Sequence, residues 1–437
     1  MYFYWFFIFA SIVLGTFNIG PFSIRVYMTV IMAIFLLTKC KLHRTYKIPK
    51  KFLFVFLLYL IVVGVALSLN GEYAKYDYTK LLLSRYLNCI ITYFATDYYI
   101  KDEKSFNKTI IVLISILSFN CIITIFQYMG LPLGRAVALF LITSDEVKDE
   151  IASGQGYDMA SFFGEDLTIG FFNYTFINAN VIAVVGMLVV GYYSVANKLF
   201  SKVILLSLLP LFLFACLTTQ SRNSFIMFFL FSIYLLFRKE SKNAVWILLI
   251  LIFIAVLLIN LQDIIDSGSL GRILDSQKYE NDPRKQIWAD AQSFLEKNLL
   301  LGGPLAFLRV NPLGAHNFFL NGFITGGLFG GLIASALYIQ AFWYSIRAIL
   351  NKKSLLLSSL GASLMIYLIN SLFHNASMIS GDTIFFILFT LLLKAILFEN
   401  KCNKIYSYET NNNCGSMCHR KHGLFGRGGQ GTCQTQQ

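Results

Sequence analysis

Three residues stand out for the chemistry they could do together. They are Arg222 in Thr218-Thr219-Gln220-Ser221-Arg222-Asn223-Ser224, Arg284 in Asn281-Asp282-Pro283-Arg284-Lys285, and His316 in Ala315-His316-Asn317. A guanidinium fork binds phosphate oxygens two at a time, and an imidazole titrates where it can take a proton from a hydroxyl at neutral pH. Two fixed cations and one base suit the displacement of an anionic leaving group by a hydroxyl. Each residue also has a plainer reading. Arg222 can snorkel to headgroups, Glu280 and Asp282 can neutralise Arg284 and Lys285, and a histidine at a helix entrance is commonly a structural hydrogen bonder.

The local sequence around Arg284 says most. Asn281-Asp282-Pro283 supplies a capping side chain and then proline at the first helical position, and 283–298 places Ile287, Trp288, Ala291, Phe294 and Leu295 on one face. That predicts an amphipathic helix lying on a membrane surface. Arg284 and Lys285 in its first turn oppose the helix dipole and cost stability unless an anion binds there. Arg222 precedes an apolar run, 225–237, too short to cross a bilayer alone. Polar residues before it therefore lie at membrane depth, where an arginine costs at least about 2.5 kcal/mol without a cavity, partner or water. His374, also followed by Asn, is the rival of His316, but it lies between two late apolar runs with no cationic neighbour in sequence.

These segments must be positioned by a membrane scaffold. The chain has 437 residues, 57% hydrophobic and 14% charged, with mean hydropathy +0.64, which excludes an ordinary soluble domain. Apolar runs of about 20 residues or slightly fewer recur from end to end, the length of a helical crossing; a barrel would alternate instead. The expected fold is all-α, a polytopic transmembrane helical bundle of about twelve spans with one large outer loop containing amphipathic helices. The basic stretch 39–51 marks the cytoplasmic side, and counting outward gives spans at 2–17, 22–38, 52–69, 80–99, 109–129, 172–194, 203–218, 224–237, 244–262, 317–345, 354–373 and 383–398. Lys198 with Lys202, Arg238-Lys239 with Lys242, and Arg347 with Lys352-Lys353 then fall inside as well.

The long loops 130–171 and 263–316 fall outside, and the first carries seven acids against Arg135 and Lys148. Residues 1–399 form the membrane domain, and 400–437 read as a disordered cytoplasmic tail, in which Cys414, Cys418, His419 and His422 lack the spacing of a zinc site. The first apolar run reads as a retained span rather than a signal peptide. The eight cysteines are scattered and imply no disulfide framework, and the net charge of +13 follows from the inner loops without calling for nucleic acid. The glycines at 326, 327, 330 and 331 suggest close helix packing.

The order and sidedness of three pieces resemble the bacterial O-antigen polymerase and O-antigen ligase superfamily, the Wzy and WaaL proteins. The pieces are Thr219-Gln220-Ser221-Arg222, Arg284-x-x-x-Trp288 opening a long outer loop, and His316-Asn317 before a glycine-rich span, with Phe176-Ile177-Asn178-Ala179-Asn180 as a weaker fourth. The resemblance implies a glycosyltransferase with a polyprenyl-pyrophosphate sugar donor, working outside the bacterial cytoplasmic (inner) membrane without cofactor or metal. Arg222 and Arg284 would bind the pyrophosphate, His316 would act as base, and Asn317 and Asn180 would support them. With no nucleophile for a covalent intermediate in view, direct displacement with inversion is expected. The expected partners are lipid-linked repeat units as donor and acceptor, membrane lipids and a chain-length regulator. The acidic loop 130–171 fits recognition of one repeat unit and points to a polymerase; the alternatives are a ligase acting on a lipid A core and, in another class, a flippase or transporter of lipid-linked oligosaccharide. A transporter should carry charges within its spans, whereas the apparent spans are nearly free of charge, Arg85 being one exception.

Overall fold

The computed structural model describes residues 1–14, 18–19, 22–39, 49–141, 168–172, 175–196, 198–219, 221–237, 283–311, 314–374 and 377–412. A chain this apolar must satisfy its backbone within itself, and helices do so segment by segment. The described elements in chain order are α1 (Tyr2–Ile12), a short two-stranded ribbon of β1 (Asn18–Ile19) and β2 (Phe22–Ser23), α2 (Ile24–Lys39), α3 (Lys51–Leu69), α4 (Tyr78–Leu81), a π-helical turn (Leu82–Tyr86), α5 (Leu87–Tyr99), α6 (Glu103–Tyr128) and α7 (Pro132–Leu141). Then follow α8 (Thr175–Val195), α9 (Leu199–Thr218), α10 (Arg222–Leu236), α11 (Pro283–Asn298), α12 (Pro304–Val310), α13 (Phe318–Ile349), α14 (Leu355–Ser371), a 3₁₀ turn (Met378–Ser380) and α15 (Thr383–Asn412).

The chain is an all-α membrane protein. Six of its described helices, α3, α6, α8, α9, α13 and the Thr383–Asn400 part of α15, are long and apolar enough to cross a bilayer. Four shorter apolar helices, α1, α2, α10 and α14, accompany them. Helices occur where the sequence pattern places them, with differences. α1 stops at Ile12 rather than 17, and α4 and α5 are joined through the π turn. α15 continues to Asn412, past the residue-400 boundary expected for the tail. The expected span 244–262, the loop residues 263–282 and the metal-like Cys414 to His422 cluster lie outside the described residues.

The main core runs through the bundle, with α8, α14 and α15 enclosed on nearly every side and packed in series with α9, α10 and α13. The spans are not as free of charge as their sequence suggests. Asp97 of α5 and Lys394 of α15 are both buried and form an ion pair, and Lys394 Nζ also donates to Asp97 O at 3.2 Å. Removing one partner of such a pair would strand a buried charge, so it pins α15 to α5.

The largest departure is α13, which reverses at Gly327 instead of running straight. Gly327 has φ 63 and ψ −158, a region open in practice only to glycine. Residues 318–326 then run back along residues 328–349: the rings of Phe318 and Phe319 lie 5.1 and 5.0 Å from that of Tyr338. A Cβ on Gly322 would lie 2.9 Å from Ala334 Cβ. The turn after α11 fills the break, Leu328 N donating to Leu300 O (3.3 Å) and Gly303 N to Ile324 O (2.8 Å). A small second core, Ala291, Leu295, Phe307, Ala315 and Ile324, packs α11 and α12 onto the returning arm. Asn70 Nδ2 donates to Leu301 O (3.0 Å), and Glu72 accepts the N–H groups of Leu305 (3.1 Å) and Ala306 (3.0 Å), capping α12 from the α3–α4 turn.

A side chain at Gly327 would collide with Leu300 O, whereas one at Gly330 would meet only Gly322 O at 3.3 Å. Gly327→Ala should therefore destabilise the protein by at least about 1–3 kcal/mol, and Gly330→Ala should stay within about 1 kcal/mol of wild type. Thermal unfolding of the detergent-purified variants measures both, and equal shifts would contradict the reversal.

Candidate active site

Polar residues gather where the returning arm of α13 meets the ends of α8, α10 and α14, away from the Lys352-Lys353 turn that joins α13 to α14. Asn317 caps α13: its Oδ1 accepts from Phe319 N (3.0 Å) and Leu320 N (3.2 Å), while its Nδ2 donates to Leu372 O (3.1 Å) at the end of α14. One side chain thus closes a helix start and ties it to the segment that leads, two residues later, to His374. His316, immediately before that cap, has φ 47, the left-handed region that costs a side-chain-bearing residue on the order of 1–3 kcal/mol. The buried Ala315 on one side and the Asn317 cap on the other hold it there.

Asn370 of α14 makes the second tie. Its Nδ2 donates to Asn180 Oδ1 of α8 (2.9 Å) and to Ser224 Oγ of α10 (3.1 Å), and Ser221 Oγ donates to Ser224 Oγ (3.1 Å). Arg222, the first residue of α10, stands two residues before Ser224, so this tie fixes the helix start that carries it. A parallel network holds the chain entering α8. Asn178 accepts from Asn120 Nδ2 (2.7 Å) and donates to Thr124 Oγ1 (3.0 Å) and Thr168 O (2.6 Å); Gln127 exchanges two hydrogen bonds with Gly170 (2.7 and 3.1 Å). Buried amides paired across helices in this way fix helix register in an apolar bundle, because any slip leaves further buried polar groups unmatched.

α11 has the limits and the buried face its sequence pattern predicts, with Ile287, Ala291 and Leu295 inside and Trp288 and Phe294 partly so. The capping residues Asn281 and Asp282 lie outside the described residues. The Trp288 ring packs 6.3 Å from that of Phe373, and its indole N–H is buried with no hydrogen-bond acceptor among the described residues. An orphaned buried donor of this kind costs about 1–3 kcal/mol, which an acceptor oxygen on a ligand would recover.

His374 has no cationic neighbour in sequence, which ranks it behind His316. The fold corrects this: α11 brings Arg284 into electrostatic reach of His374, and His316 is in reach as well. The imidazole lies flat against Phe176 of α8, ring centroids 4.5 Å apart and nearly parallel. Burial, then Arg284 and then His316, push His374 down to about 3, so it is uncharged at neutral pH. The structure therefore brings Arg284, His316, Asn317 and His374 together, and it links Asn180 and the helix start at Arg222 to them through Asn370. Sequence reasoning missed Asn370, whose signal was an amide inside the apolar run 354–373, and missed the ring of Phe176 as the surface under His374. Among the described residues no three His, Cys, Asp or Glu side chains come together as metal ligands would. Compared with protein-family models and with curated proteins, the chain finds no match.

The depressed His374 makes stability depend on pH in a definite direction. Between its folded value of about 3 and its ordinary value near 6.5, the unfolded chain binds a proton that the folded chain refuses. This contribution is complete above about pH 6.5 and is lost as pH falls toward 3. The melting temperature of wild type should fall further between pH 7 and pH 4.5 than that of His374→Gln, which cannot titrate. Parallel falls would contradict an uncharged, enclosed His374.

Proposed function

We propose that this chain is a glycosyltransferase that joins polyprenyl-pyrophosphate-linked glycan repeat units at the outer face of a bacterial cytoplasmic membrane. The twelve-span path and the outer placement of 130–171 and 263–316 belong to this reading. The observation that carries it is His316 in its left-handed backbone, beside the amphipathic helix whose first turn bears Arg284. Backbone strain of this kind clusters at functional sites, and a helix N-terminus that carries a guanidinium favours an anion.

In the proposed step the acceptor sugar hydroxyl gives its proton to His316, and its oxygen forms the new bond at the anomeric carbon of the donor. The bond from that carbon to the pyrophosphate oxygen breaks, and the pyrophosphate leaves with the electron pair. Arg284, with Arg222, stabilises the charge that develops on the leaving group, and Trp288 N–H is a further donor to its oxygens. Attack and departure on opposite faces of the carbon give inversion. His374, uncharged and flat against Phe176, is too weak a base at neutral pH and instead forms the polar wall of the site. Asn317 and Asn180 hold the frame.

A polymerase rather than a ligase fits the acidic 130–171 segment as a recognition loop for one repeat unit. The buried Asp97–Lys394 pair is the one observation that favours a lipid-linked-oligosaccharide transporter, since charges within spans mark transport paths. It sits at the end of α5 leading to the α5–α6 turn, remote in sequence from the α13–α14 site, and it closes on itself through Asp97 O.

Complementation of a deletion strain separates these readings. His316→Ala should lower polymer formation by about 10²–10⁴-fold. Arg284→Ala and Arg284→Lys should both shorten chains, because lysine lacks the bidentate fork. Surface lipopolysaccharide should then carry single repeats on the lipid core. Unattached polymer would mean a ligase, and repeat units trapped inside would mean a flippase. A normal ladder from His316→Ala at wild-type membrane level would overturn the assignment.

A further inference from the structure

The catalytic proposal leaves a second pair of arginines without a role. Arg25 is the second residue of α2, and Arg85 lies in the π turn between α4 and α5. The two are in electrostatic reach of one another and of Asp382, the residue before α15. Neither forms an ion pair with an acid among the described residues.

Their hydrogen bonding is incomplete. Arg25 Nε donates to Ser11 O (3.2 Å), whereas its terminal nitrogens and the whole Arg85 guanidinium have no hydrogen-bond acceptor among the described residues. The Asp382 carboxylate accepts from the Tyr367 hydroxyl (2.7 Å) and from Ile384 N (3.0 Å), and neither arginine donates to it. Burial raises the Asp382 carboxyl above the usual carboxylate range against the pull of these partners and of both arginines. Two guanidinium groups, Arg25 half-buried and Arg85 exposed, therefore share one carboxyl, Asp382, among the described residues.

The surroundings are built to keep them there. Asn88 donates to Ser11 Oγ (3.1 Å) and Thr29 Oγ1 (2.7 Å) and accepts from Thr383 Oγ1 (2.6 Å), tying α1, α2, α5 and α15 around the pair. Gly381, at φ 77, lets the turn before α15 lie on the π turn; a Cβ there would be 2.8 Å from Arg85 Cβ. Tyr86 in the same turn donates to Ile379 O (2.9 Å). π turns are rare and recur at functional sites, because they break the regular ladder to aim a side chain. The turn 377–382, which packs on the π turn, also follows His374 in the chain, so the two cationic groups share one connection between α14 and α15.

We propose that Arg25 and Arg85 form a second anion site that holds the pyrophosphate of the acceptor lipid. The proposal rests on the polymerase reading. In that reaction both substrates carry a lipid pyrophosphate: the donor loses it and the acceptor keeps it. One cationic group cannot hold both, and paired guanidinium forks suit pyrophosphate oxygens.

The test is the stoichiometry of undecaprenyl pyrophosphate bound to the full chain in phosphatidylcholine nanodiscs, read by native mass spectrometry. Arg85→Gln is the informative variant because Arg85 makes no hydrogen bond among the described residues for the substitution to remove. Wild type should hold two lipids, Arg85→Gln one, Arg284→Gln one, and the double variant none. Two lipids on Arg85→Gln, or a single wild-type lipid that Arg85→Gln retains, would overturn the proposal. Two lipids on Arg284→Gln with one on Arg85→Gln would instead remove the donor site and leave this one standing. Loss of the Arg85-dependent lipid in phosphatidylglycerol discs, or its displacement by equimolar inorganic pyrophosphate, would assign the site to an ordinary headgroup or a free anion and overturn the acceptor assignment.

Discussion

A helix that reverses inside an apolar bundle frees backbone N–H and C=O groups that neither lipid nor hydrocarbon side chains can satisfy. In this chain the reversal at Gly327 is closed by backbone groups of Leu300 and Gly303, so the turn after α11 and the break in α13 exist only together. The location of the site follows from that closure. Tyr338 lies eleven residues past Gly327, about 16 Å along the helix. The returning arm sets Phe318 and Phe319 against Tyr338, and His316 just before them, so the histidine is recessed beside the end of α14 rather than carried out beyond the turn.

Polar side chains then turn an approximate arrangement into a fixed one. Asn317 joins the start of α13 to Leu372, and Asn370 joins α14 to α8 and α10. Each amide satisfies a partner that would otherwise be buried and unmatched, so the helices cannot slide without a penalty on the order of 1–3 kcal/mol per lost bond. The charges follow the same economy of partners. Asp97 and Lys394 neutralise one another within the bundle, whereas Arg25 and Arg85 both lie in electrostatic reach of Asp382.

The helical membrane class, the limits of α11 and its buried face were legible because they follow from apolar periodicity and from one proline, all local signals. The weight placed on His316 rests on its position between motifs, and its left-handed backbone is a separate feature that no local pattern announces. The reversal at Gly327 was not legible: Gly326, Gly327, Gly330 and Gly331 read equally as packing surface, and only a long-range partner, Leu300, distinguishes the second of them. His374 was set aside for want of a cationic neighbour, yet Arg284 reaches it from ninety residues earlier in the chain. Arg85 could be seen as a charge within a span, but its pairing with Arg25 depends on four helices meeting, which no local pattern encodes.

Convergence of α11 with the turn after α14 at His316 is the arrangement on which the proposed chemistry depends. It is tested most directly by cysteines placed at Trp288 and Phe373 in a cysteine-free background, whose native rings lie 6.3 Å apart. Membranes treated with a short bifunctional thiol reagent should yield a cross-linked peptide pair joining the two positions, identified by mass spectrometry. Failure of that pair to form in a folded protein whose two cysteines are each reactive would show that α11 docks elsewhere, and with it that Arg284 and His316 do not share a site.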